Sequence, residues 1–130
     1  MRASEPFPII YANDVAESVA FYVNAFGFEV AYRWPSDGPI RFAHLKLPGD
    51  SRGVGIGGLA GHVHGLPVGH GPARFELCLY VDDMDEACAR LRTLGATELR
   101  EPVDEPWGER RGYFADLDGN PIHLAMSLPS

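Results

Sequence analysis

The sequence has few cysteines and few positive charges. Cys78 and Cys88 are not spaced as a zinc or redox motif, and two thiols in a cytosolic chain are most simply reduced core or pocket residues. Lysine and arginine number 11 against 18 aspartates and glutamates, which gives a formal net charge of -7. Because nucleic-acid binding depends on neutralising phosphates with basic side chains, this charge argues against a nucleic-acid partner. It suits a neutral or cationic ligand better.

Long apolar runs are also missing. No stretch approaches the roughly 18 apolar residues that a membrane span needs, and the opening residues lack the basic and then apolar order of a signal peptide. We therefore expect no membrane partner and a cytoplasmic location. The chain does have 130 residues, of which 45% are hydrophobic. That is enough for one domain with a buried core.

One pattern occurs twice in the chain. A tyrosine, an aspartate, a glutamate and an alanine recur at the same spacing, first as Tyr11, Asp14, Glu17 and Ala20 and again as Tyr80, Asp83, Glu86 and Ala89. An aspartate followed three residues later by a glutamate is typical of a capped helix start. Apolar residues then follow at helical spacing until Gly27 or Gly95, where we expect each helix to end.

Extended segments surround each predicted helix, one before it and three after it. They are residues 7–11, 28–34, 40–47 and 53–59 in the first copy, and 75–81, 98–101, 111–116 and 121–126 in the second. We therefore predict an α+β fold, a single domain over 1–130 made of two βαβββ repeats at about 5–60 and 73–127. A Gly/Pro/His linker at 61–72 joins them. The repeats should form a cupped mixed sheet with a pseudo-twofold axis and a ligand groove between the copies.

Two other features resemble functional motifs only in part. The linker histidines His62, His64 and His70 could bind a metal, but a surface loop that merely contains histidines is the simpler interpretation. The glycine-rich run from Gly53 to Gly58 lacks the strand, glycine loop and helix order of a phosphate loop, and it lacks the lysine. We interpret it as a glycine-rich strand near a cavity.

The paired units and the run Asp116-Leu-Asp-Gly-Asn-Pro-Ile-His123 resemble the vicinal oxygen chelate superfamily. That group includes glyoxalase I, extradiol dioxygenases, fosfomycin-resistance enzymes and bleomycin-resistance proteins, and the resemblance covers nearly the whole chain. In the family this turn is structural, so we assign Asp116 and Asp118 no chemistry. The family closes its open sheets by pairing two chains, so the resemblance implies a homodimer.

The resemblance also implies where a metal would be held. Family enzymes use a histidine on the first strand of a unit and a glutamate on its last strand. The corresponding positions here are Phe7, Glu76, His123 and a residue near Gly57. Only Glu76 and His123 can ligate, so an ion would be weakly bound, and we expect no metal and no cofactor. These two side chains can instead form a charge-assisted hydrogen bond or contact a polar ligand; a residual metal site completed by His44 is the alternative.

What remains resembles the metal-free, bleomycin-resistance type of drug-binding protein, which sequesters a toxic ligand unaltered. Tyr32, Trp34 and Trp107 lie where those proteins present rings to flat heteroaromatic ligands, and stacking gives affinity without catalysis. We therefore expect metal-independent sequestration of an aromatic natural product or antibiotic, with no catalytic residue. The candidate ligand-binding residues are Phe7, Tyr32, Trp34, Phe42, His44, Glu76, Cys78, Trp107, Arg111, Tyr113 and His123.

Two alternatives stay open. Each tryptophan could be a half-buried core residue, and aromatics such as Phe42 and Tyr113 are common on strands because strands favour them. The protein could also be a glyoxalase-like or dioxygenase-like lyase, isomerase or oxygenase with an unusual or absent metal set. A metal-free isomerase of this kind would use Glu76 and His123 as acid and base. Fold alone does not separate these functions, because function belongs to the site.

Overall fold

The computed structural model describes residues 1–2, 4–58 and 75–129. The chain divides into two compact units, residues 1–70 and 71–130. We call them unit 1 and unit 2. The predicted linker at 61–72, with its three histidines, lies outside the described residues. Within the described ranges, neither helix has the length and apolar character of a membrane span.

Unit 1 follows the predicted order of one strand, one helix and three strands. Its elements are β1 (Ile9–Ala12), α1 (Val15–Phe26), β2 (Glu29–Trp34), β3 (Phe42–Lys46) and β4 (Gly53–Gly58). The strands form one sheet in the order β1-β4-β3-β2. β1 runs parallel to β4, and the other two pairings are antiparallel.

Unit 2 repeats this arrangement. Its elements are β5 (Leu77–Tyr80), α2 (Met84–Thr93), β6 (Thr97–Glu105), β7 (Glu109–Ala115) and β8 (Pro121–Ser127), and its sheet has the order β5-β8-β7-β6. β5 is again parallel to β8, with antiparallel pairings elsewhere. The predicted α+β fold with two βαβββ repeats is therefore confirmed.

The helix starts are built as the sequence predicts. The Asp14 carboxylate accepts the Glu17 amide at 3.0 Å, and Asp83 accepts the Glu86 amide at the same distance. These bonds satisfy amides that a first helical turn leaves without a partner. Gly27 ends α1 with a left-handed φ of 77°, a conformation that glycine adopts without strain.

Each helix packs on one face of its own sheet. In unit 1 the buried residues at this contact are Val15, Val19, Tyr22, Ala43, Leu45, Val54 and Ile56, and in unit 2 they are Met84, Cys88, Leu91, Phe114, Ile122 and Leu124. Because side chains alternate along a strand, the residues between these positions lie on the opposite face. The candidate site residues of each unit belong to that second face.

The aspartate-rich turn between β7 and β8 is held by its own side chain. The Asp116 carboxylate accepts the backbone amides of Asp118 and Asn120 at 2.9 and 2.8 Å and the Asn120 side-chain amide at 3.0 Å. Gly119 follows with a φ of 86°. The buried carboxylate therefore stabilises the turn. The turn fixes where β8 begins and hence where His123 lies on it.

Candidate functional site

The second face of unit 2 carries a continuous polar network, which we call the unit-2 face. Strand register places Cys78 opposite His123, and His123 opposite Tyr113 on the next strand. Neighbours two residues away along the same strands share this face. Its members are Glu76, Cys78, Tyr80, Glu109, Arg111, Tyr113 and His123, with Trp107 in the turn between β6 and β7.

The hydrogen bond expected between Glu76 and His123 is present. His123 Nδ1 lies 2.9 Å from Glu76 Oε1. The imidazole is almost fully buried at 5% exposure, whereas the Glu76 side chain is 46% exposed. The carboxylate therefore contacts the histidine on one side and solvent on the other.

Arg111 contacts the second nitrogen of the same imidazole. Its Nη1 lies 3.0 Å from His123 Nε2. A guanidinium has only donors, so Nε2 must be the acceptor and must carry no proton. The proton of a neutral imidazole then lies on Nδ1, where it is donated to Glu76. Arg111 and Glu76 thus define one tautomer of His123.

Glu109 is the acceptor for three neighbouring side chains. Its carboxylate accepts Tyr80 OH at 2.7 Å, Trp107 Nε1 at 2.8 Å, and Arg111 Nη2 and Nε at 2.6 and 3.0 Å. The hydrogen bond from Tyr80, followed by those from Arg111, lowers the Glu109 pKa to about 2. The same bond to a carboxylate raises the Tyr80 pKa. Glu109 therefore stays ionised at neutral pH.

Sequence reasoning missed Tyr80 and Glu109 as site residues. Both follow from the period of two along a strand, since Glu109 lies two residues before Arg111 and Tyr80 two residues after Cys78. Alternation from the residues already proposed would have found them.

Aromatic rings lie beside the polar groups of the unit-2 face. The Tyr113 ring stacks on His123 with centroids 4.1 Å apart and an interplanar angle of 24°. The Arg111 guanidinium lies 5.8 Å from the Trp107 ring centroid, within cation–π range. Trp107 is held by its hydrogen bond to Glu109 and by the Arg111 cation. It is 62% exposed, so its ring is not buried in the core of unit 2.

The described neighbours of Cys78 on this face do not, in sum, activate its thiol. Partial desolvation by the surrounding groups raises the pKa of its thiol, although the residue is still in part exposed. The nearby charge of Arg111 acts in the opposite sense but is the smaller effect. A thiol with a raised pKa is a poor nucleophile at neutral pH.

The second face of unit 1 carries the other predicted residues and is mainly aromatic. We call it the unit-1 face. The Phe7 ring meets the His44 ring edge-on with centroids 4.7 Å apart, and the Tyr32 and Phe42 centroids are 6.4 Å apart. Register places Trp34 opposite Phe42, where it is 49% exposed. Trp34 and Trp107 are thus both exposed by about half or more of their surface within their own units.

Glycines give the unit-1 face a strand without side chains. Gly53, Gly55 and Gly57 share this face of β4, and a Cβ on Gly55 would lie 3.0 Å from the Phe42 ring. Strand register also corrects one correspondence. The repeat relates Cys78 to Ile9, and Ile9 pairs with Gly55, so the unit-1 equivalent of His123 is Gly55, two residues before the position near Gly57 expected from the sequence.

The residues at the family's metal positions do not fit a divalent ion. Glu76 and His123 are the two possible ligands, but both imidazole nitrogens are engaged, one by Glu76 and the other by the Arg111 cation. An ion at Nε2 would meet a guanidinium 3.0 Å away from that nitrogen. Across the ranges that the structure describes, no three His, Cys, Asp or Glu side chains are grouped to hold a metal. The metal-free state of the purified protein stays a prediction.

The fold and its repeated unit define a class of protein. A family model described as the Glyoxalase/Bleomycin resistance protein/Dioxygenase superfamily matches residues 7–124, and the chain belongs to this superfamily. This is the family that the sequence resemblance indicated.

Individual relatives agree with this assignment. An uncharacterised protein of Mycobacterium tuberculosis strain H37Rv is 29% identical over 125 residues, which span 94% of this chain and 72% of the relative. A solved superfamily member from Sphaerobacter thermophilus is 29% identical with a TM-score of 0.73 over 96% of this chain and 98% of its own. The crystal structure of TioX from Micromonospora sp. ML1 is 26% identical with a TM-score of 0.72, over 95% and 99%.

Proposed function

We propose that this protein binds a planar aromatic ligand, of the natural-product or antibiotic kind, and releases it chemically unchanged. The observation that carries the proposal is the hydrogen bond from Arg111 to His123 Nε2. It places a side-chain cation against the unprotonated ring nitrogen of the histidine that occupies one of the family's metal-ligand positions. The chemistry of this face is that of a fixed hydrogen-bond network.

Exposed rings support the binding half of the proposal. Tyr32, Trp34 and Trp107 are all more than 45% exposed although each is a large aromatic residue. Exposed aromatics that share a face with polar groups are typical of ligand-binding surfaces. Trp107 is also held in place by Glu109 and Arg111, so little side-chain entropy is lost when a ligand stacks on it.

Elemental analysis of the purified protein tests the metal-independent part. We expect well under one Zn, Fe, Mn or Ni per chain, and ligand binding that a chelator does not change. A stoichiometric metal whose removal abolishes function would contradict the proposal.

Substitution of the two tryptophans tests the binding surfaces. Trp34→Ala and Trp107→Ala should each weaken binding of a planar aromatic ligand by about 1–3 kcal/mol, as for an aromatic anchor, and should reduce the quenching of tryptophan fluorescence. Because both rings are exposed, the free energy of unfolding of each variant should stay within about 0.5 kcal/mol of that of the unmutated protein.

The matched control is Phe114→Ala, which removes a fully buried ring from the other side of the unit-2 sheet. It should cost about 3–5 kcal/mol of stability. If the tryptophan variants instead lose stability on that scale, with binding lost only through unfolding, the proposed surfaces are wrong.

One observation favours the enzyme alternative. The Glu76 carboxylate is oriented by the His123 Nδ1–H and is half exposed, which is the arrangement of a base that could accept a proton from a bound molecule. Glu76→Gln and His123→Ala separate the two functions. In a binding protein both variants shift affinity while the recovered ligand is unchanged; in an enzyme both abolish conversion of a substrate that the unmutated protein turns over.

A further inference from the structure

Arg111 has hydrogen-bonding capacity that the described network does not use. A guanidinium carries five N–H groups. Glu109 accepts from Nε and Nη2, and His123 accepts from Nη1. One N–H on each terminal nitrogen has no partner among the described residues. The Arg111 side chain is 21% exposed, so a ligand on this face can reach it.

The charges around Arg111 limit what those donors can accept. The network contains two carboxylates, Glu76 and Glu109, and the cation Arg111. Arg100 lies 5.7 Å from the Tyr113 ring centroid, but Glu105 pairs with it at 2.6 Å. Since His123 is held neutral, the network has a surplus of negative charge. An anionic ligand group would add a third negative charge beside Glu109, whereas a neutral oxygen acceptor adds none.

The rings beside Arg111 indicate what carries that oxygen. Trp107 lies on one side of the guanidinium, and the Tyr113 ring covers His123, to which the guanidinium is bonded. A flat ring system that stacks on Trp107 can direct an in-plane substituent toward Arg111. An oxygen conjugated with the ring is in that plane, and it accepts well from a charged donor.

We propose that the ligand of the unit-2 face presents a neutral carbonyl oxygen, conjugated to an aromatic ring, to the two N–H groups of Arg111 that no described residue accepts. Quinone, lactam and aryl-ketone groups share this chemistry. The inference rests on the proposed function, since it names the chemical class of the molecule that the protein binds.

Three probes with one ring skeleton test it. Fluorenone has the neutral carbonyl, fluorene has a methylene in its place, and fluorene-9-carboxylate carries an anionic group there. We expect fluorenone to bind the unmutated protein about tenfold more tightly than fluorene, which is the effect of roughly one charge-assisted hydrogen bond. The carboxylate should bind no more tightly than fluorene. Equal affinities for fluorenone and fluorene, or tightest binding of the carboxylate, would overturn the inference while leaving aromatic binding intact. If none of the three binds, the proposed function itself is wrong.

Arg111→Met should remove the preference for fluorenone while fluorene still binds, and the retained fluorene binding shows that the face is folded. Arg110→Met is the matched control, since Arg110 is the neighbouring residue and pairs with Asp104, outside the unit-2 face. This variant should prefer fluorenone over fluorene as much as the unmutated protein does. If Arg111→Met does not fold, the guanidinium NMR signals of Arg111 in the unmutated protein decide the question. They should shift with fluorenone and not with fluorene, and no shift with either would contradict the proposal.

Discussion

The position of the proton on the His123 ring follows from which of its neighbours can donate and which can accept a hydrogen bond. A guanidinium cannot accept a hydrogen bond, so the contact between Arg111 and His123 determines which imidazole nitrogen is bare. The other nitrogen then donates to Glu76. The result is a neutral histidine in one tautomer, held by a cation on one side and an anion on the other. Such a group is a fixed donor to Glu76.

The tautomer is directly measurable. Nitrogen NMR of the ring should show His123 with a protonated Nδ1 and an unprotonated Nε2, the less common form of free histidine, at neutral pH. Arg111→Met removes one of the two contacts that define this tautomer, so the fraction of rings with a protonated Nε2 should rise, while the bond to Glu76 still favours a protonated Nδ1. His44, whose ring contacts Phe7, is the internal reference. A protonated Nε2 on His123 in the unmutated protein would show that Arg111 does not bond to it.

Glu109 makes a prediction for acid stability. Its folded pKa, lowered by Tyr80, Arg111 and Trp107 to about 2, lies below the ordinary value of 4.5. A carboxyl with a depressed folded pKa contributes stability that is fully present above the unfolded value and is lost as pH falls through the folded value. Stability should therefore fall between pH 4.5 and about 2 in part because Glu109 is protonated.

Chemical unfolding across this interval measures the effect. Glu109→Gln should be less stable than the unmutated protein at neutral pH, and its free energy of unfolding should fall less steeply below pH 4.5. Asp104→Asn is the comparison, because Asp104 is also a carboxylate with a lowered pKa, but Arg110 is its one side-chain partner among the described residues. Identical pH profiles for Glu109→Gln and the unmutated protein would contradict the prediction.

The sequence predicts a contact between distant site residues only where a known pattern relates their positions. Glu76 and His123 were found together because a family pattern relates them across 47 positions. The bond between Tyr80 and Glu109, which are 29 residues apart, has no such pattern. Pairing between distant polar side chains depends on strand register, and register is fixed by the sheet and not by the local sequence.

At the scale of elements, local chemistry was the better guide. Both helix starts were predicted because a cap involves residues three apart, and both caps are present. Strand bounds were less accurate. β6 runs over Thr97–Glu105, well beyond the predicted 98–101. Its pairing with β7 shifts register on either side of Arg100. Such irregularities break the alternation that sequence reasoning relies on.

The glycines of β4 give a prediction at the same scale. A Cβ on Gly53 would lie 2.5 Å from the Leu45 carbonyl oxygen, a backbone atom of β3 that cannot move without disturbing the sheet, and would also clash with His44. Gly53→Ala should therefore destabilise unit 1 by about 1–3 kcal/mol. Denaturant unfolding measures this.

Gly57→Ala is the matched control on the same strand and face. Its Cβ would meet Ile9 at 3.4 Å, an ordinary contact. Alanine in a strand loses less backbone entropy than glycine on folding, so the change should be neutral or slightly stabilising. If the two variants have the same stability, close approach of β3 is not the reason for glycine at position 53.

At the scale of the whole molecule, each sheet has two outer strands with one open edge as far as the described residues go. Within the described residues, β1 and β2 pair on one side only in unit 1, as do β5 and β6 in unit 2. An open edge exposes backbone donors and acceptors that can pair with another chain. Several apolar side chains near these edges, Ile9, Leu99 and Val103 among them, are exposed as well. A second copy of the chain is a partner that could cover them.

We therefore predict a homodimer. Light scattering or sedimentation at micromolar concentration should give close to twice the chain mass of 14.2 kDa. Closed two-fold pairing uses the same patch on both copies, so the mass should reach a plateau at the dimer and not rise further with concentration. Charged substitutions on an exposed edge strand, such as Val103→Lys, test the contact, because a lysine buried in an interface is costly. Gly57→Ala, on the inner strand β4, serves as the control for general effects on folding. A chain that stays at 14.2 kDa across the concentration range would contradict the prediction, and a mass that grows without limit would show open-ended pairing in its place.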